Sequence, residues 1–389
     1  MSDRLLSAPF LRVTLANLFL FLNLTAYFLL PLHLRTLGAG DAVIGWVMGT
    51  AGFASMAALP FVGLTIDRWG RRIFLFSGAI GLTLAAIGFL FVDSLGPSMY
   101  ALRFLQGVSL SASFTATTTF AAAFAPPNRR AQALGVFGLS TVVTHAVSAG
   151  VGEEIVIRGG FDALFAATAF CSVVALILAL PLREAAAARR ARVPGERRLH
   201  GVHWIVAATM FLIGLGFGAV HTFMPTFITD EGLGRIGFYS AAYTSACILS
   251  RVMAAGLSDS FGRRQVIVPA LMALACAMFW FSRVHSVPSL LAAGAVLGLA
   301  QGVTYPTLHA LVVDLAGEAQ LGRSQALFSG AFTLGLAASA SAFGLVAEAF
   351  GYRVMFTLVA VMPIAAGVVF AIGTARVPIP VAAWAGEAK

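Results

Sequence analysis

Gly63-Leu-Thr-Ile-Asp67-Arg68-Trp-Gly70-Arg71-Arg72 returns, 192 residues later, as Ala255-Gly-Leu-Ser-Asp259-Ser260-Phe-Gly262-Arg263-Arg264. Working outward from this pair, four further matches keep the same order and nearly the same spacing. Phe28-Leu-Leu-Pro31 matches Thr222-Phe-Met-Pro225, and Gln106-Gly107-Val108 matches Gln301-Gly302-Val303. Gln132-Ala-Leu134 matches Gln325-Ala-Leu327, and Gly160 with Phe165 matches Gly351 with Phe356. Five matches in order, at offsets that differ by no more than four residues, mark a chain built by duplication of one half.

Composition says where that chain resides. Of its 389 residues 59% are hydrophobic and 11% charged, against about 45–50% and about 25% in a soluble domain. That excludes a soluble enzyme, which could not cover its surface, and a disordered chain, which is poor in apolar residues. A membrane-spanning helix needs about 20 apolar residues, and twelve such runs are present. We number them as spans 1–12: 9–33, 42–65, 73–92, 97–125, 131–153, 161–182, 202–228, 236–258, 265–284, 288–314, 322–348 and 352–375. They are too long and too rich in Gly and Ala for barrel strands. The expected fold is therefore an all-α membrane protein, twelve transmembrane helices in two pseudo-symmetric six-helix bundles. The bundles cover 1–182 and 202–376, joined by a cytoplasmic loop at 183–201 and followed by a tail at 377–389.

The bases orient it. With both termini inside, the inner loops and tails hold eighteen of the 25 Lys and Arg residues and the outer loops five, Arg35, Arg158, Arg235, Arg283 and Arg353. Positive charge collects on the cytoplasmic side of membrane proteins, so both ends are expected there, in a bacterial-type inner membrane. This bias also accounts for the net charge of +9 without a nucleic-acid partner. Each half has an even number of spans, so the halves are parallel repeats, an architecture that carries a solute site near the midplane and works by alternating access. Cys171, Cys247 and Cys276 lie in apolar runs without metal-type spacing. No metal and no cofactor is expected, and the phosphate-cradling Gly-x4-Gly-Lys-Ser/Thr loop is absent, so a gradient must drive any accumulation.

The loop at Gly63–Arg72 resembles the signature of the major facilitator superfamily, and two copies at half-chain spacing strengthen the likeness, although Ala255 and Ser260 depart from the pattern. Resemblance covers about residues 9–375. It implies a conformational latch of Gly63, Asp67, Arg68, Gly70, Arg71, Asp259, Gly262, Arg263 and Asp314. Gly63 is expected to let helices approach closely. Asp67, at the carboxyl end of its helix, calls for a positive partner. The stretch near Phe120 has no acid to match Asp314, so the two latches should be unequal. Arg103-Phe-Leu-Gln106-Gly107 resembles the family's second motif, whose intramembrane Arg is linked to proton coupling in exporters. Ser148-Ala149 stands where drug–proton antiporters carry Gly-Pro, and the Gly152-Glu153 ending resembles the sugar-efflux and metabolite-efflux-like branch.

Polar residues on the helices that line the cavity in this family give the candidate solute site: Asn23, Tyr27, Arg103, Gln106, His145, His221, Tyr243, Gln301, Tyr305 and His309. Each is also a candidate for an ordinary interhelical hydrogen bond. Arg103, His145, Glu153, His221 and His309 are the proton-coupling candidates, histidine because it titrates near neutral pH. The expected function is secondary transport of a small organic solute, by proton-coupled efflux; the alternative is uptake of an organic anion by symport or uniport. Expected partners are the solute, protons and the lipid bilayer, and a monomer suffices because one chain holds both halves.

Overall fold

The computed structural model describes residues 7–126, 129–184, 201–253, 261–315 and 320–375. It divides into two compact units, Met1–Ala191 and Arg192–Lys389. Among the described residues there is no strand.

In the first unit span 1 begins at Ala8, where Ser7 caps the helix by accepting from the Phe10 N–H and a proline occupies the first turn. The span runs as Ala8–Ala26, one 3-10 turn at Tyr27–Leu29, and Leu30–Thr36. That turn falls just before Pro31, which has no N–H for the helical ladder. Spans 2, 3 and 4 are Asp41–Trp69, Arg71–Phe89 and Pro97–Phe124. Spans 5 and 6 are one continuous element, Arg130–Ala179, turned at Gly160 with φ 74°. In the second unit spans 7 to 10 are Gly201–Asp230, Ile236–Met253, Arg263–Phe281 and Val287–Leu315. Spans 11 and 12 share Leu321–Val359, turned at Gly351 with φ 79°, and continue through Val361–Gly373.

Among the described residues eight stretches are long and apolar enough to cross a membrane, and two of them, 48 and 51 residues long, are double crossings around those glycines. Spans 4 and 8 complete the twelve. They fall short on hydropathy because they carry Arg103, Gln106 and a run of Ser and Thr, and Tyr243, Thr244 and Arg251. The separate helices expected at 131–153 and 161–182, and at 322–348 and 352–375, are therefore joined pairs. A glycine at positive φ re-aims the chain without a Cβ clash, so no loop is needed.

The duplication is visible in the backbone. Gly70 and Gly262, 192 residues apart, stand at the start of spans 3 and 9 at φ 92° and 86°. Packing repeats as well: span 1 lies on the 5–6 element and span 2 on span 4, as span 7 lies on the 11–12 element and span 8 on span 10. Aromatic cores correspond, Phe89 on Phe165 at 5.1 Å in one unit and Phe281 on Phe356 at 5.6 Å in the other.

Candidate functional site

In the first unit the structure brings four candidates together. Arg103 is buried, 5% exposed. Its Nε donates to the Val47 carbonyl at 3.3 Å and Nη2 to the Met48 carbonyl at 3.1 Å, both on span 2. Nη1 donates to Gln106 Oε1 at 2.8 Å, one helical turn along. The guanidinium carbon lies 6.0 Å from the centre of the Tyr27 ring. Tyr27 packs on Phe89 and Phe165 at 5.2 and 5.9 Å, and its hydroxyl sits beside Thr168 and Gln106. No carboxylate pairs with Arg103 among the described residues. Three buried polar atoms here lack a hydrogen-bond partner: Tyr27 Oη, Gln106 Nε2 and Asn23 Oδ1. Asn23 is otherwise committed, its Nδ2 donating to the Thr168 carbonyl and to Ser172 Oγ, both at 2.8 Å. His145 is half-buried on span 5, beside Thr144, whose carbonyl accepts from Thr25 at 3.2 Å. Glu153 is half-buried near the outer end of that span, and Glu154 pairs with Arg158 at 2.6 Å.

Four candidates of the second unit are linked by rings that a search for polar residues misses. His221 stacks on Phe217 at 5.9 Å, and Phe217 meets Tyr243 at 6.1 Å and Phe332 at 6.3 Å. Tyr305 meets Phe332 at 5.7 Å and Phe328 at 5.3 Å, and Phe328 meets His309 at 5.5 Å. His221, Tyr243, Tyr305 and His309 thus share one aromatic row across spans 7, 8, 10 and 11. The helical spacing of Phe217 with His221, and of Phe328 with Phe332, was the available signal. Gln301 is buried on span 10 with Oε1 unpartnered.

At the loop ends, Arg263 donates to Asp314 at 2.5 Å. The corresponding Arg71 lies 6.0 Å over the ring of Phe120, where no acid stands. Arg72 donates to the Leu180 carbonyl and Arg264 to the Ala371 carbonyl, so each unit ties the start of its third span to the end of its sixth. Arg68 is exposed. Asp259 and the side chain of Asp67 lie outside the described residues, as do Ala255, Ser260, the loop at 185–200 and the tail. One expectation is corrected: a Cβ on Gly63 would meet nothing within 4 Å, so it does not hold two helices close here. Close approach occurs at Gly107, against the Ala51 carbonyl, and at Gly298 and Gly302, against those of Tyr243 and Cys247.

His33 was missed. Its Nε2 is buried without a partner, and its ring contacts Phe161 at 4.8 Å and Phe165 at 5.3 Å. Among the described residues no group of three or more His, Cys, Asp or Glu is placed to hold a metal.

The family model described as Major Facilitator Superfamily matches residues 13–250 and 206–385. The staphylopine export protein of Staphylococcus aureus is 22% identical over 90% of this chain and 92% of that protein. The multi-drug resistance efflux pump PmrA of Streptococcus pneumoniae is 25% identical over 84% and 86%. Among solved structures, a bacterial homologue of the human lysosomal transporter Spinster superposes with a TM-score of 0.80, at 14% identity over 96% of this chain and 98% of that one. The D-xylose–proton symporter superposes with a TM-score of 0.75 at 16% identity, over 92% and 96%. These likenesses join the duplicated six-span units and the repeated glycine-turn loops: the chain is an integral membrane transporter, not an enzyme, and belongs to the Major Facilitator Superfamily.

Proposed function

We propose that this chain exports a small organic solute across a bacterial-type cytoplasmic membrane by proton-coupled alternating access, with both termini in the cytoplasm. The observation that carries this reading is Arg103, a buried guanidinium on span 4 held by two carbonyls and one amide oxygen without a carboxylate. A charge at membrane depth is costly and marks ion or substrate pathways. A cation so held responds to whatever proton or anion arrives beside it. The two bacterial relatives, an export protein and an efflux pump, support the outward direction. His145, Glu153, His221 and His309 are the further proton carriers of this reading. Its cavity residues are Asn23, Tyr27, Gln106, Tyr243, Gln301 and Tyr305, and one chain suffices. Asp67, Arg68, Gly70, Arg71, Asp259, Gly262, Arg263 and Asp314 form its cytoplasmic latch.

Uptake of an organic anion by proton symport or uniport is the second reading. It is favoured by the absence of Asp and Glu from the middle of spans 1, 4, 7 and 10, where Arg103 lies. Proteoliposomes loaded with candidate solutes, under an imposed pH gradient, separate the two. Export predicts that solute leaves against its gradient as protons enter, and that Arg103→Ala abolishes the exchange. Solute movement in the same direction as protons would replace export by symport.

A further inference from the structure

Tyr27 Oη and Gln106 Nε2 are buried donors without a hydrogen-bond partner; Gln106 holds the Arg103 guanidinium through Oε1, and that guanidinium lies 6.0 Å from the centre of the Tyr27 ring. An arginine carries five N–H groups. Those of Arg103 make three bonds, one from each nitrogen, so each terminal nitrogen keeps one N–H to offer. Two N–H groups, one amide and one phenol are therefore left to donate in one buried cluster that carries a full positive charge. Unpartnered acceptors in it are Asn23 Oδ1, one turn back on span 1, and the Tyr27 oxygen itself. The flanking surface is apolar, the rings of Phe89 and Phe165. A buried donor left unmade costs about 1–3 kcal/mol, and an uncompensated buried charge costs more. One ligand chemistry removes both penalties, a small acceptor with one negative charge.

We infer that the first unit holds a small monovalent anion, a halide or a carboxylate, between Arg103, Gln106 Nε2 and the Tyr27 hydroxyl. A divalent anion would leave one charge uncompensated. This site is built from spans 1 and 4 of one unit, braced by span 2, and does not depend on the direction of transport or on proton coupling. A halide would be a resident inorganic ion. A carboxylate would identify the anionic end of a transported solute. The second unit does not repeat this arrangement: at the offset of the Gln106–Gln301 match, Arg103 is replaced by Gly298.

Thermal unfolding of the purified full-length protein reads the site without any transport assay. Chloride, bromide, formate and acetate are titrated separately, with sulfate, whose second charge the site would leave uncompensated, holding the ionic strength. A ligand that binds the native state raises the unfolding temperature in a saturable way. Wild-type protein should show this with at least one of the four. Tyr27→Phe removes a buried hydroxyl without a partner, so in sulfate alone it should unfold at or above the wild-type temperature. A hydrogen bond to a charged group is worth enough to shift the half-saturating concentration about tenfold in Tyr27→Phe. Arg103→Lys, with one compact ammonium in place of the fork, should weaken it further. Response to halides alone supports a resident ion, and response to carboxylates alone supports the carboxylate of a solute. No saturable response in wild type, or one of equal half-saturation in wild type and Tyr27→Phe, overturns the inference and leaves water as the occupant.

Discussion

The two units reach the same packing by different means. Span 1 is joined to the 5–6 element by polar side chains. Asn17 donates to Ser140 and Thr141 at 2.9 and 3.1 Å and accepts from Thr117 at 3.1 Å, Asn23 donates to Thr168 and Ser172, and Thr25 bonds Ser148 at 2.7 Å. Span 7 is joined to span 11 by glycines, with Gly214 against the Phe332 carbonyl, Gly218 against that of Leu336 and Gly335 against that of Phe211. Phe211 and Phe217 stand at the offset positions of Asn17 and Asn23. In a bilayer there is no hydrophobic drive between helices, and polar bonds and small-residue contact are the two substitutes. The same contrast recurs at the crossing of spans 2 and 4, where Arg103 bridges to two carbonyls while Gly298 lets span 10 touch span 8 directly. Both units keep buried polar atoms without partners, Tyr27 Oη and Gln106 Nε2 in one and Thr244 Oγ1 and Gln301 Oε1 in the other; what differs is the joint between spans, polar side chains in the first unit and glycines in the second.

If glycine contact holds the second unit, adding one methyl should cost most there. Gly298→Ala would set a Cβ against the Tyr243 carbonyl, with 3.1 Å to Ala246 Cβ. Overpacking of this kind costs about 1–3 kcal/mol. Thermal or denaturant unfolding in detergent should show that loss, while Gly63→Ala, with open space around it, should change little. Equal effects would remove the distinction between a packed and an open glycine. Arg263→Gln comes next, since it leaves Asp314, 31% exposed, without its 2.5 Å partner. A charged hydrogen bond at partial exposure implies about 1–2 kcal/mol. Arg71→Gln should cost less, because a cation–π contact at 6.0 Å, the outer limit of that interaction, is worth only about 0.5–1 kcal/mol. A larger loss for Arg71→Gln would reverse the inequality of the two loops. Asn17→Leu tests the polar seam, where interhelical bonds average about 0.6 kcal/mol each. Loss of its three should total between one and two kcal/mol, again read by unfolding.

Much of this was legible in the sequence because duplication and hydropathy are strong, redundant signals. Twelve spans, two units and the turns at Gly70 and Gly262 follow from residues that repeat. The joined pairs at Gly160 and Gly351 were not legible, because a polar stretch such as Gly152–Glu154 reads as a loop whether or not the helix continues through it. Gly63 misled for a similar reason: a glycine on an apolar helix does not reveal whether another helix faces it. At the candidate site, sequence selected the polar residues, but not which were spent on neighbours. Asn23 carries the same signal as Tyr27, yet its amide is consumed by span 6 and the Tyr27 hydroxyl is not.

His33 is where the comparison between units makes its smallest and sharpest prediction. The offset of 194 that pairs Pro31 with Pro225 pairs His33 with Phe227. Phe227 fills its place with rings, meeting Phe356 at 5.0 Å and Tyr352 at 5.9 Å. His33 occupies the equivalent nest against Phe165 and Phe161 and leaves Nε2 unpartnered. If the nest is only a packing site, His33→Phe removes a stranded polar atom and adds aromatic contact, a gain of about 0.5–1.5 kcal/mol. The unfolding temperature should rise and transport should be unchanged. A variant that is more stable but transports more slowly would instead show that the first unit keeps an imidazole there for function. That result would extend the contrast between the units from packing to chemistry, because the second unit has given up the same position to phenylalanine.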